Sequence, residues 1–321
     1  MKYILPFSII LGILCSCGGS KIPLAASEEQ LGEKLFFDPI LSRDSSVSCA
    51  SCHRPEHAFA DLTPTSKGVF NRMGGRNTPS CMNMTNRNLF FWDGRAETLE
   101  QQALGPIENP VEMDLPITIA VKRLMNNAYY YQSFVNVYGK KPSKELLAQA
   151  ISNFERTLET SNTPFDRYIQ ETDTNGLSAS AKRGLVIFND KANCFDCHFG
   201  VDFTGNDQFR NIGLYNGKDL NDKGRYDVTQ KESDLGKFKV PGLRNIAMTG
   251  PYMHNGMHKT LREVIDFYNE PDKFISNSIN RDTLMNKPLG LSEEEKKDLE
   301  NFLLSLTDDR FVKKEVAKEE K

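Results

Sequence analysis

The chain has 321 residues, room for two domains of ordinary size and too many for one small one. With 39% hydrophobic and 26% charged residues its composition is globular, and a formal net charge of −3 gives no reason to expect a nucleic acid partner. No internal stretch reaches the roughly 18 apolar residues that a membrane span needs.

The N-terminus is built for export. Lys2 precedes an apolar run, Tyr3 to Leu14, followed by small residues and cysteines, so residues 1–16 read as a secretory signal. Leu14-Cys15-Ser16-Cys17 resembles a lipobox, with Cys17 the better site for the lipid because the small Ser16 precedes it. The plainer alternative is an ordinary signal peptide with incidental cysteines. Either way the expected location is the periplasm, lipid-anchored to a membrane if Cys17 is acylated. Residues 17–27 then read as a flexible tether.

Two short sequences carry the chemistry. Cys49-Ala50-Ser51-Cys52-His53 and Cys194-Phe195-Asp196-Cys197-His198 both read Cys-x-x-Cys-His, the attachment sequence of a c-type haem. Two thiols at this spacing each form a thioether to one porphyrin vinyl group, and the histidine that follows turns its imidazole to the iron. A zinc ribbon would set its pairs roughly 15–20 residues apart. A redox dithiol does not require the trailing histidine. The expectation is two covalently bound haem c groups, with His53 and His198 as proximal ligands.

The motifs lie 145 residues apart, which suggests one cytochrome domain per haem, at 28–165 and 166–310. Between them Ile117 to Val137 and Lys144 to Leu158 carry apolar residues at helical spacing. Ser178 is placed to cap a helix running to Phe188. Thr260 with Glu263, and Ser292 with Glu295, match capping boxes, the second opening a helix through Leu299, Leu303 and Leu306. No strong strand or hairpin signal is present. The fold expected is mainly α: two class I cytochrome c-like domains, each with one covalent haem, packed around an interdomain interface. Tyr215 to Lys237 reads as a long surface loop and residues 311–321 as a disordered tail. No internal repeat is visible beyond the haem motifs, and the lone Cys81 reads as a buried free thiol.

Three further stretches, Leu35-Phe36-Phe37-Asp38, Phe91-Trp92-Asp93-Gly94-Arg95 and Pro251-Tyr252-Met253-His254-Asn255-Gly256, join the two motifs in a fixed order. Together they resemble the bacterial di-haem cytochrome c peroxidases, a family that includes the MauG-type enzymes, over nearly the whole mature chain. The resemblance implies that the N-terminal haem meets hydrogen peroxide and that the C-terminal haem relays electrons from a small cytochrome or cupredoxin. It places a tryptophan between the haems, here Trp92, with a glutamine, a proline and a glutamate ten, fourteen and twenty residues beyond it. Those positions hold Gln102, Pro106 and Glu112. Splitting the O–O bond moves a proton from the inner to the outer peroxide oxygen, work suited to one carboxylate; without this spacing Glu112 would read as a surface acid. The resemblance also implies an interdomain calcium ion at Asn77, Thr249 and Pro251, oxygen donors that suit a hard cation. A homodimer is allowed.

The sequence departs from the family at two points. Many members close the N-terminal haem with a distal histidine. The corresponding stretch, Gly68-Val69-Phe70-Asn71, has none, and His57, four residues after His53, is expected to be exposed beside the haem edge. The haem is therefore expected to be open in the oxidised protein. Fourteen residues after His254 the peroxidases supply a methionine ligand to the C-terminal haem. Here the position is Tyr268, as in the MauG-type enzymes, with Met253 and Met257 as fallback ligands. Tyr268 also falls on an apolar helical stripe and would pass as a core tyrosine. Two readings follow: a peroxidase that reduces hydrogen peroxide to water, and a maturation enzyme that uses peroxide to oxidise residues of a protein partner.

Overall fold

A computed structural model describes residues 23–312. The residues of the signal, Cys17 and the end of the tail lie outside them. In chain order the elements are α1 (Glu28–Phe37), α2 (Cys49–Cys52), α3 (Leu99–Glu108), α4 (Ile117–Asn126), α5 (Ala128–Tyr138), α6 (Lys144–Arg156), α7 (Pro164–Ile169), α8 (Ala179–Asn189), β1 (Phe209–Arg210), α9 (Tyr226–Thr229), β2 (Phe238–Lys239), α10 (Leu261–Asn269), α11 (Pro271–Phe274) and α12 (Glu293–Leu304), joined in places by single 3-10 turns. The two strands pair antiparallel, Phe209 opposite Lys239 and Arg210 opposite Phe238. No described helix is long and apolar enough to cross a membrane.

The helix starts follow their caps. Ser178 Oγ accepts the N–H of Ala181, Thr260 Oγ1 that of Glu263, and Ser292 and Glu295 form the reciprocal box. At Thr260 the box is displaced: Glu263 accepts from Lys259 N instead of Thr260 N. The stretch from Ile117 to Val137 is two helices, not one. Asn127 ends α4 with its N–H and starts α5 with its side chain, which accepts from Tyr130 N. A capping asparagine outweighs the unbroken apolar period.

The large buried residues form two main cores, one holding Leu31, Phe36, Leu124, Phe134 and Leu147, the other Phe188, Phe203, Leu299 and Phe302. The cores are built alike. In the first, α1 crosses α6 at Gly32, where an added Cβ would lie 1.9 Å from Ala150 O. In the second, α8 crosses α12 at Gly184, where it would lie 2.0 Å from Asp298 O. Beside each crossing sits an aromatic trio: Phe36, Phe59 and Phe154, and Phe188, Phe203 and Phe302. The ring-centroid distances within the first are 5.1, 6.1 and 6.5 Å, and within the second 5.1, 5.9 and 6.3 Å. Asn83 and Asn245 repeat each other too. Both are left-handed at φ 60, both bond the C-terminal end of their lobe through Leu158 O and Leu306 O, and both donate to Thr160 Oγ1 at the seam. An internal repeat therefore exists beyond the haem motifs. It is spread over single positions and leaves no run of matching sequence.

Three segment boundaries move. Residues 23–27, expected in the tether, are partly docked: Ala25 is buried, and its carbonyl accepts from Asn136 Nδ2 of α5. Phe165, expected at the end of the first domain, packs on Phe203 and Phe302 of the second core. Phe311, expected in the tail, is 3% exposed and belongs to the first core. The segment from Tyr215 to Lys237 is no free loop either. It carries α9, buries Tyr215, and is tied to the first lobe by a two-pronged pair, Arg76 Nε and Nη2 to Asp222 at 2.7 and 2.8 Å.

Candidate functional site

One cavity of about 730 Å³ runs between the two cores, and its walls carry Cys49, Cys52, His53, Cys194, Cys197 and His198. None of the four cysteines is paired in a disulfide. Each histidine is set the same way. His53 Nδ1 lies 3.1 Å from Phe59 O and His198 Nδ1 2.9 Å from Phe203 O. A carbonyl only accepts, so Nδ1 carries the proton in both rings and Nε2 is left with its lone pair. That is how proteins present a histidine to a metal. Burial lowers the pKa of both imidazoles, which keeps them neutral as ligands. The residues present therefore fit a covalent haem twice over: two thiols, one oriented imidazole and an apolar wall in each lobe.

The residues expected around the first haem come together. Gln102 and Pro106, one turn apart on α3, both line the cavity, as does Glu112 in the loop beyond. The helix ends at Asn109, whose Nδ2 donates to Glu112 Oε1 at 2.7 Å while its Oδ1 accepts from Val111 N. Burial raises the pKa of Glu112, opposed by the charge of Arg95 and by the Asn109 bond. Trp92 is held at both ends: Nε1 donates to Asn77 O at 2.8 Å, and its carbonyl accepts from Lys239 N at 2.8 Å. It thus sits on the seam between the two attachment sites.

The loop expected near Val69 is pinned. Val69 N donates to Glu112 O at 2.7 Å, and Arg72 Nη1 donates to Pro110 O at 2.7 Å. Gly68 lines the cavity with no room for a side chain, since a Cβ would lie 2.2 Å from Val111 O. The loop holds no histidine, and the histidines that line the cavity are His53, His198 and His254. His57 is half-buried and not among the lining residues, a correction to its expected exposure; the turn Pro55–His57 folds it against the protein.

In the second lobe Tyr268 lies on α10 and lines the cavity, and burial together with the neighbouring Cys197 and Cys194 drives its phenol pKa up. Met253 also lines the cavity, whereas Met257 does not and is 39% exposed. His254 is stacked on Phe238 at 3.7 Å, and burial pushes its pKa down to about 4. Asn77, Thr249 and Pro251 line one cavity. Among the described residues no cluster of three or more His, Cys, Asp or Glu side chains could hold a metal; the expected calcium donors are instead an amide and two carbonyls.

Sequence reasoning missed several residues. Asn109 stands three before Glu112, the spacing of a local asparagine cap, and that signal was legible. Glu155 was not. It is buried against Cys49 and Cys81, its pKa is pushed up to about 8 by burial, and it occupies the place that Leu303 takes in the second lobe. Cys81 is the buried free thiol expected, and it faces the cavity.

A family model described as di-haem cytochrome c peroxidase matches residues 26–174. The methylamine utilization protein MauG of Methylorubrum extorquens is 38% identical over 288 residues, 88% of this chain and 79% of that protein. The cytochrome c551 peroxidase of Pseudomonas aeruginosa is 38% identical over 76% of this chain and 72% of its own length. Among solved structures, a MauG-like protein associated with microbial copper homeostasis superposes with a TM-score of 0.80 at 31% identity, covering 90% of this chain and 92% of that one. The diheme peroxidase BthA of Burkholderia thailandensis gives 0.77 at 25% identity, covering 89% and 87%. With the doubled histidine geometry and the shared cavity, these likenesses place the chain in the di-haem cytochrome c peroxidase family.

Proposed function

We propose that this chain is a peroxidase that reduces hydrogen peroxide to water at the haem held by Cys49, Cys52 and His53. The haem held by Cys194, Cys197 and His198 passes in electrons from a small periplasmic cytochrome or cupredoxin. Membership of the family makes the protein a peroxidase-type oxidoreductase with two haem c groups; the division of labour between the sites is our reading. The two lobes are taken as cytochrome c-like domains. The observation that carries the reading is a half-buried carboxyl, Glu112, fixed by Asn109 on the wall of the first haem site.

When bound, the haems supply the oxidising equivalents and the electron path. The rest falls to the side chains. Glu112 takes the proton from the inner peroxide oxygen and returns it to the outer one, so that water leaves. Asn109 holds one carboxylate oxygen, which leaves the other to meet the substrate. Gln102 orients peroxide by hydrogen bonding, and Pro106 presents no N–H to compete. The pinned loop at Val69 brings no ligand and keeps water and peroxide access constant. Trp92, clamped between Asn77 O and Lys239 N, bridges the two sites. Asn77, Thr249 and Pro251 form the proposed calcium site, and Cys17 the proposed lipid anchor.

A second reading rests on Tyr268. A phenolate at the second iron favours higher oxidation states, which suits an enzyme that uses peroxide to oxidise residues of a protein partner, as a MauG-type maturation enzyme does. Steady-state turnover with reduced cytochrome c separates the two. Fast turnover supports the peroxidase, and peroxide consumption without cytochrome oxidation supports the second reading. In either case Glu112→Gln should lower the rate of peroxide reaction on the order of 10²-fold, and a fully active variant removes Glu112 from the mechanism.

A further inference from the structure

The wall of the second haem site holds more positive charge than its contacts satisfy. Arg87 lies ahead of α3, in the N-terminal half of the chain, yet its side chain, only 5% exposed, reaches the second lobe. Its Nη2 stands 2.7 Å from Asp207 Oδ1 and 3.4 Å from Val240 O, while its Nε is buried with no hydrogen-bond partner. Lys239 leans on the same Asp207 oxygen at 3.4 Å. The other oxygen of Asp207 is taken by the N–H groups of Asn88 and Leu89, at 2.8 and 3.4 Å. Two buried cations thus share one carboxylate that is already in use. Nearby acids give no direct relief, because Asp166 and Asp202 are both bound by Arg244 at 2.9 Å.

Buried charge without a partner is costly, so such a pair marks the place of an anion. The position says which. Arg87 and Lys239 line the cavity, and Asp207 stands behind them. Lys239 and Val240 immediately precede Pro241, whose carbonyl backs His198. A haem fixed by its vinyl edge to Cys194 and Cys197 carries two propionates on the opposite edge. We propose that Arg87 and Lys239 form a carboxylate-binding site that grips a propionate of the second haem, so that a residue from the N-terminal half of the chain holds that haem directly. The lowered pKa of Lys239, pushed down to about 7 by burial and by Arg87, agrees with a side chain that lacks its anion.

The proposal rests on the second haem being present. The test uses the full haem-loaded protein and the variants Arg87→Met, Lys239→Met and Arg87→Lys. Haem content by pyridine haemochrome checks the underlying assignment, and a redox titration followed by electron paramagnetic resonance reads the proposal. Loss of a cation beside the propionate favours the ferric state. Both methionine variants should therefore keep two haems and show a lower midpoint potential at the second haem alone, and Arg87→Lys should restore most of it. Two haems with an unchanged second potential in both methionine variants overturn the proposal. If Arg87→Met fails to fold, Lys239→Met decides, since it keeps the backbone N–H bound to Trp92 O. Sodium acetate should not move the wild-type potential. A potential that follows acetate in the wild type and not in the variants assigns the site to a free carboxylate and overturns the propionate reading.

Discussion

The hydrogen bond from Asn109 to Glu112 sets the pH at which the peroxide site works. Burial raises the Glu112 pKa, and the Asn109 amide pulls it back by stabilising the carboxylate. Replacing Asn109 with Leu removes that donor together with the Oδ1 that accepts from Val111 N, and leaves the backbone-to-backbone bonds of the turn in place. A hydrogen bond to a charged group is worth about 1.5–3 kcal/mol, and one pKa unit corresponds to about 1.4 kcal/mol, so the Glu112 pKa should rise by about 1–2 units. The sign follows from the task. Glu112 must be ionised to take the first proton, so the rate rises with pH through its pKa, and the variant's acid limb should move up by the same 1–2 units. Well below the limb, where the rate follows the ionised fraction, Asn109→Leu should react about 10- to 100-fold more slowly than the wild type, and it recovers at higher pH; Glu112→Gln does not recover at any pH. The assay is stopped-flow reaction of the oxidised protein with peroxide over a range of pH. A limb that stays in place, or moves down, refutes the role given to Asn109.

Other outcomes follow from the same structure. Changing Cys194 and Cys197 together to Ala should halve the haem content by pyridine haemochrome, and unchanged content would refute that attachment site. The oxidised protein should give one high-spin and one low-spin ferric signal by electron paramagnetic resonance, because the Val69 loop holds no histidine and His254, which lines the cavity, is stacked on Phe238; two low-spin signals would reveal a distal ligand at the first haem. Gly184→Ala forces a methyl to within 2.0 Å of Asp298 O and should cost on the order of 1–3 kcal/mol or more in thermal or denaturant unfolding. Unchanged stability would mean that the α8–α12 crossing has room to spare.

Covalent chemistry was the most legible part of the sequence, because Cys-x-x-Cys-His fixes three residues at a spacing that one cofactor demands. Gln102, Pro106 and Glu112 were legible only through their distances from Trp92. Composition says nothing about which of 43 acids faces a cavity. What stayed hidden depends on long-range packing. The repeat of Gly32, Phe36 and Phe154 in Gly184, Phe188 and Phe302 is carried by crossings between helices more than a hundred residues apart. Arg87 looks like any surface arginine until the second lobe closes over it. The Ile117–Val137 stretch failed for the opposite reason, since a local cap at Asn127 overrode a clear long period.

Phe311 lies close to the end of the chain and fills part of the first core. The lobe that is synthesised first is therefore completed last. Its core cannot close on a nascent chain, nor in any fragment that stops after α12, until the final described residues have been delivered back to it. If the proposed haem thioethers at Cys49 and Cys52 form before those residues return, the lobe is loaded while its core is still open.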